Sequence, residues 1–253
     1  MQTEHNKLVR EFMSLFKQQL PKAFADCNDD VAAARFKMLE EEYKEWQRAK
    51  PLDYELFDAY VDILYIAHGS LLALGVKLKE LPILANHIQL TGRKMALDHN
   101  MAMALSALQK RPLCPDRLQT DLSNLIQATY IAALSNGLDI DAAFCGIHVA
   151  NMNKLWNADE MQHATSKNTV KVNTPDGVRW IVYNDYGKVI KPPSWKEFDL
   201  RPLVIKALRR FEGTVNPAPA VASNPPESRP ADRAQTAPAP SAPLAKLIKI
   251  HKS

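Results

Sequence analysis

Two consecutive stretches with helical apolar spacing carry carboxylates on or beside the apolar stripe, where a water-facing helix does not need them. The first is Arg35-Phe36-Lys37-Met38-Leu39-Glu40-Glu41-Glu42-Tyr43-Lys44-Glu45-Trp46. After a break at Lys50-Pro51 the second runs Glu55-Leu56-Phe57-Asp58-Ala59-Tyr60-Val61-Asp62-Ile63-Leu64-Tyr65. At about 100° per residue, Phe36, Leu39, Tyr43 and Trp46 share one arc. Arg35, Met38, Glu42 and Glu45 lie on its flank, Glu41 a little further round, and Glu40 nearly opposite. Glu55, Asp58 and Asp62 fall within about 60° of each other on the second stretch. So short a connection packs the two helices antiparallel. Glu41, Glu42 and Glu45 are then expected to face Asp58 and Asp62.

Carboxylates gathered in one interhelical groove repel each other, and burying them unpaired is costly. A hard cation relieves both. Mg²⁺ prefers oxygen ligands and is usually bound through carboxylates together with substrate phosphates. The bland alternative is a solvated acidic face with chance spacing, which fits Glu40-Glu41-Glu42 alone. Asp58 and Asp62 on the semi-apolar face of the next helix argue against it.

The rest of the chain supplies helices around this pair. Residues 5–20 are amphipathic and end at Pro21; Asp29 or Asp30 caps the acidic helix; the Asp58 helix runs on to Leu74 and stops at Gly75. Helical spacing recurs over 78–90, 94–109, 116–136 and 142–156. The segments 170–172 and 178–183 flank Pro175-Asp176-Gly177 and predict a β-hairpin. A short helix is expected over 202–211. From Gly213 to Pro243 the chain is rich in Pro, Ala and Ser, which predicts disorder. It closes on a basic amphipathic tip from Leu244. That tip suits docking on an acidic groove of a partner protein; an inert tail is the plainer reading.

Of 253 residues, 46% are apolar, enough for a core, and a net charge of +4 is too small to suggest a nucleic-acid surface. Cys27, Cys114 and Cys145 lack metal-ligand spacing and are odd in number, which fits a reducing cytosol. No signal peptide opens the chain, and the run Ile63 to Val76 is short for a membrane span. A cytoplasmic protein with no membrane or nucleic-acid partner is expected. His68 and His148 read as satisfied core histidines, Tyr65 and Trp46 as core aromatics. There is no P-loop and no GxGxxG.

Glu41-Glu42-Tyr43-Lys44-Glu45 resembles the EExxE motif of the all-α nucleoside triphosphate pyrophosphohydrolases, the MazG-type superfamily. Asp58 to Tyr65, followed by Gly69, resembles the DAxxDxxY…G helix of its phosphoribosyl-ATP pyrophosphohydrolase-like branch, to which bacteriophage-borne members often belong. Leu8 to Phe16 resembles the family's opening helix, Ile147 to Leu155 its NMxK helix, and Lys188 to Pro193 its closing segment. The familiar ExxD spacing is also met by Glu55 and Asp58, which leaves the role of Glu55 open.

The resemblance implies an all-α antiparallel bundle over residues 1–212, with a helical insertion at about 78–120, a hairpin at about 169–191, and a tail at 213–253. It implies an Mg²⁺-dependent enzyme, with Mn²⁺ as substitute, that cleaves a (deoxy)nucleoside triphosphate to the monophosphate and pyrophosphate. Glu42, Glu45 and Asp62 would be metal ligands, and Glu41 and Asp58 would act on the attacking water. Lys154 and Lys191 would meet the pyrophosphate end, Asn151 a phosphate or sugar, and Arg35 would balance charge in the groove. A homo-oligomer is implied as well. Phosphoribosyl-ATP as substrate and a non-catalytic helical interaction protein are the alternatives.

Overall fold

The computed structural model describes residues 1–26, 29–83 and 90–215. Among them are seven α-helices and one antiparallel pair of strands. In chain order these are α1 (Gln2–Leu15), α2 (Asp29–Arg48), α3 (Tyr54–Ala73), α4 (Leu90–Gln109), α5 (Pro115–Ser135), α6 (Ile140–Met152), β1 (Thr169–Thr174), β2 (Gly177–Val182) and α7 (Arg201–Val215). The protein is all-α, with a small hairpin after the helical core.

The bundle is built around α3, which packs on α1, α2, α5 and α6. By length and hydropathy α3 could cross a membrane, but 78% of that window is buried inside this bundle, as in a core helix. Asp53 opens it: the carboxylate accepts the Tyr54 N–H at 2.7 Å. Gly75 closes it at φ +64°, with Val76 N–H donating to Leu71 O and Gly75 N–H to Leu72 O. That is a Schellman cap, and the backbone of Ala23 leaves no room for a Cβ at Gly75. The end of α5 repeats the device at Asn136-Gly137-Leu138.

Several boundaries differ from those expected. Residues 75–83 form no helix. Instead Lys79 N–H donates to Ser123 Oγ, and Gln127 donates to the Pro82 carbonyl, so side chains of α5 hold the segment. Pro82 has no N–H to give a helix. The region expected to be an insertion is part of the core: α4 packs on α5 and α2 and buries Leu97, Met101, Ala104 and Leu108 within the chain. Met95 and Met103 of α4 are exposed. The final core helix starts at Ile140, where Asp139 accepts the Ala142 N–H, and stops at Met152. Trp156 pairs instead with Trp180 of β2. The terminal helix runs four residues beyond 211, to Val215. The rest of the proline-rich tail and its basic tip lie outside the described residues.

The hairpin turns at Pro175-Asp176, with Gly177 at φ +108°. A second turn follows, closed by a bridge between Tyr183 and Val189. Asn184 organises it by accepting the backbone N–H groups of Tyr186 and Lys188. Tyr183 donates to the carbonyl of Phe16 and so ties the turn to the end of α1.

Candidate active site

Helices α2 and α3 run antiparallel in a register that decides the site. Glu42 feels the charge of Asp62, and Asp58 that of Glu45. Seven residues back along α2 and seven on along α3, Arg35 meets Gly69: a Cβ there would stand 3.0 Å from Arg35 Nη1. Seven residues are two helical turns, about 10.5 Å. One face thus carries carboxylates at one end and a guanidinium at the other.

This face forms one wall of a cavity of about 480 Å³, which small-ligand sites commonly match. Arg35, Glu42 and Glu45 reach it from α2, Asp58 and Asp62 from α3, and Asn151 from α6. Lys154 and Lys191 line it as well, close enough for their charges to act on Asp62 and Asp58. Eight of the nine residues singled out from the sequence therefore share one cavity.

Glu41 does not line it. A residue adjacent to Glu42 is turned by about 100°, which carries it to the rim. There Tyr186 Oη donates to Glu41 Oε1 at 2.6 Å and Lys188 Nζ to Oε2 at 3.0 Å. Burial acts to raise the Glu41 pKa, but these two hydrogen bonds hold it below the usual carboxylate value.

The carboxylates inside behave differently. Burial pushes Glu42 up to about 8, with Asp62 and Glu45 adding to the effect and Lys188, 3.4 Å away, opposing it without prevailing. Burial and then Asp58 push Asp62 up to about 7, against the pull of Lys154. Burial, then Glu197 and Glu42, push Asp58 up to about 6. Burial alone would lower Lys188, but Glu42 and Glu41 hold its pKa above the usual value. Lys154 is lowered by burial despite Asp62. Carboxylates poised near neutrality in a cleft mark a functional site more often than a structural one.

Three contributors escaped the sequence reading. Lys188 was seen only as part of a closing segment, yet it bridges Glu41 and Glu42. Trp195 lies under both distal lysines, with Lys191 Nζ 4.4 Å and Lys154 Nζ 5.5 Å from its ring centre. Its Nε1 donates to the Ala150 carbonyl, which fixes the ring against α6. Glu197 adds a carboxylate beside Asp58. The backbone of this segment is held by Glu160, which accepts the N–H of Ser194 and of Asn157. Tyr65, expected only in the core, is buried and also lines the cavity, with its Oη 3.1 Å from His148 Nδ1. His68 is buried against Tyr130 Oη at 3.3 Å, as a core histidine should be.

Buried carboxylates whose charges oppose one another offer hard oxygen donors of the kind Mg²⁺ prefers. Among the described residues, however, no three Asp, Glu, His or Cys side chains stand close enough to hold a metal by themselves. The donor set fits an ion held by one or two carboxylates and completed by a substrate phosphate. It does not fit a preformed protein cage.

No curated protein and no solved structure matches the chain. Residues 9–83 match the family model described as phosphoribosyl-ATP pyrophosphohydrolase. The match runs from α1 to just past α3, under a third of the chain, and includes Arg35 and all four carboxylates on α2 and α3 that line the cavity. Asn151 and the three lysines lie beyond it. Residues 9–83 thus carry a domain of the phosphoribosyl-ATP pyrophosphohydrolase type, and residues of the later segments line the same cavity.

Proposed function

We propose that this chain is an Mg²⁺-assisted nucleotide pyrophosphohydrolase that converts a (deoxy)nucleoside triphosphate to the monophosphate and pyrophosphate. The observation that carries the reading is a single cavity lined both by carboxylates of two helices and by three lysines. Hydrolysis at the α-phosphorus requires charge neutralisation, an aligned water and a base. One or two of Glu42, Glu45 and Asp62, together with a substrate phosphate, would hold the ion, with Mn²⁺ as a substitute, and it would neutralise triphosphate charge when bound.

The chain's own residues do the rest. Lys154, Lys188 and Lys191 meet the outer phosphates, and Asn151 gives hydrogen bonds to a phosphate or the sugar. Asp58, raised toward neutrality, accepts the proton of the attacking water. The water oxygen bonds to the α-phosphorus, the bond to the bridging oxygen breaks, and pyrophosphate leaves. Glu41, already engaged by Tyr186 and Lys188, positions the lysine and is a poorer base than Asp58.

The test is pyrophosphate release from the eight common ribo- and deoxyribonucleoside triphosphates with Mg²⁺. Release of orthophosphate, or turnover of none, would reject the reading. Phosphoribosyl-ATP is the second substrate to assay, because the family match names it. The same reading carries a homo-oligomer. A fully active monomer by light scattering would exclude that.

A further inference from the structure

Arg35 is 7% exposed, and among the described residues no carboxylate pairs with it. Its Nη2 donates to Gln18 Oε1 at 3.1 Å, and among the described residues the hydrogen-bond partner of its Nη1 is the Met38 sulfur at 4.0 Å. Burial pulls the guanidinium down to about 10, with no neighbouring anion to offset it. It therefore does not balance the acidic groove, which lies two helical turns away. A buried cation left in this state is costly unless something arrives to accept its protons.

The surroundings narrow what arrives. Nη1 is the atom beside Gly69, whose missing side chain leaves the guanidinium room on the cavity wall. Val9, Met13 and Met38 line the same cavity, as does Gln18. Since Arg35 uses the Gln18 carbonyl oxygen, the remaining polar group of Gln18 is its amide N–H₂. This end of the cavity thus offers donors set among apolar side chains. A hydrated phosphate has no use for the apolar part. A flat heterocycle with acceptors on its edge uses both.

We propose that Arg35, supported by Gln18 and given space by Gly69, selects nucleotides whose base is a 6-oxopurine, guanine or hypoxanthine, through O6 and N7. A guanidinium reads that acceptor pair with two parallel hydrogen bonds, whereas adenine presents an N6–H₂ donor there and is opposed. Two helical turns between Arg35 and Glu42 leave space for the sugar and α-phosphate between base and acidic wall. Inosine should behave like guanosine, since the 2-amino group is not on the edge being read. This deepens the proposed activity and rests on it for the placement of the phosphates.

The experiment measures kcat/KM for GTP, dGTP, ITP, ATP and dATP, and calorimetric binding of the α,β-methylene analogues of GTP and ATP with Mg²⁺. Wild type, Arg35→Gln and Arg35→Lys are compared. The oxo nucleotides should exceed the adenine nucleotides by at least about tenfold in wild type, in turnover and in binding. Arg35→Gln removes the charged donor and should lose that ratio; Arg35→Lys, which keeps a donor able to reach O6 and N7 but not the fork, should lower it less. Turnover without an oxopurine preference, or a ratio that survives Arg35→Gln, would overturn the inference and leave the pyrophosphohydrolase reading standing. So would a preference for phosphoribosyl-ATP that Arg35→Lys retains, which would make Arg35 an anion site. Selective binding of the GTP analogue without turnover of any nucleotide would sustain the inference and reject the activity.

Discussion

Lys188 and Glu41, separated by 147 positions in the chain, meet at 3.0 Å across the rim of the cavity. The same ammonium is 3.4 Å from Glu42, so one lysine partly serves as counter-ion to the acidic wall. Replacing Lys188 with Met removes that charge and a phosphate contact. Turnover should fall at least about tenfold, as for the loss of one charge-stabilising group. Tyr186→Phe, which leaves the ammonium in place, should cost less. Steady-state kinetics of both variants check this, and equal losses would mean that Lys188 only anchors the turn.

Glu42→Gln and Asp62→Asn should each abolish turnover while keeping the fold. Glu42 is buried and Asp62 half-buried beside other carboxylates, so each substitution also removes repulsion and a desolvation cost. The metal-free thermal midpoint should rise, by about 2–4 °C for each kcal/mol relieved. Calorimetry with chelator present measures it. Near-normal turnover in either variant would remove these residues from the metal site.

Two buried histidines set an acid limit on stability. Burial holds His68 down at about 3, and burial holds His5 down at about 4 although Asp141, 3.0 Å away, favours its charged form. The unfolded chain takes up these protons below about pH 6.5 and the folded chain does not until pH 3–4. Stability from this source is complete above pH 6.5 and is lost as pH falls toward 4. The raised carboxylates act in the opposite sense, so the histidine contribution is read as a difference. The thermal midpoint of His68→Gln, whose amide still reaches Tyr130, should fall less steeply than wild type between pH 6.5 and 4. Parallel curves would contradict the assignment.

Gly146 of α6 has no space for a side chain: a Cβ would lie 2.3 Å from the ring of Phe198. Phe198 lines the cavity beside Glu197. Gly146→Ala should gain about 1 kcal/mol of helix propensity, yet displace the ring and the wall behind it. The expected result is a thermal midpoint near wild type with kcat/KM reduced about 10–100-fold, since small misplacements of a site are expensive in rate. Unchanged kinetics would show that Phe198 moves without moving the site.

The carboxylates were legible because helical periodicity is local. Glu42, Glu45, Asp58 and Asp62 converge through nothing more than 3.6 residues per turn and a short connection. Glu41 was misplaced for the same reason: a flank position and a rim position differ by one residue, and what decides is a partner on a distant turn. Lys188 and Tyr186 are brought in by the hairpin and the turn at Gly187, a long-range contact that no spacing announces. Arg35 looked like a counter-ion because it shares the face, but seven residues put it beyond reach of the carboxylates. The helix α4 was expected from its spacing, but its apolar residues lie on both sides, with Leu97 and Met101 inward and Met95 and Met103 outward, so which face it buries could not be read. The pin of residues 75–83 by Ser123 and Gln127 was equally invisible.

The two sets of charges lining the cavity are also separated in time. The carboxylates of α2 and α3 leave the ribosome at least 92 residues before Lys154, the first lysine to face them. At typical rates of synthesis that is roughly 5–20 s. For that interval the acidic wall lacks the three lysines, and water, dissolved cations and Lys44 on its own helix supply its counter-charge; its mutual repulsion is expected to weaken the contact of α2 with α3. Arrival of Lys154, Lys188 and Lys191 is then expected to strengthen that contact. Stalled nascent chains with residues up to 150 exposed, or up to 200 exposed, should differ in protease protection of α2, and divalent cation should narrow that difference.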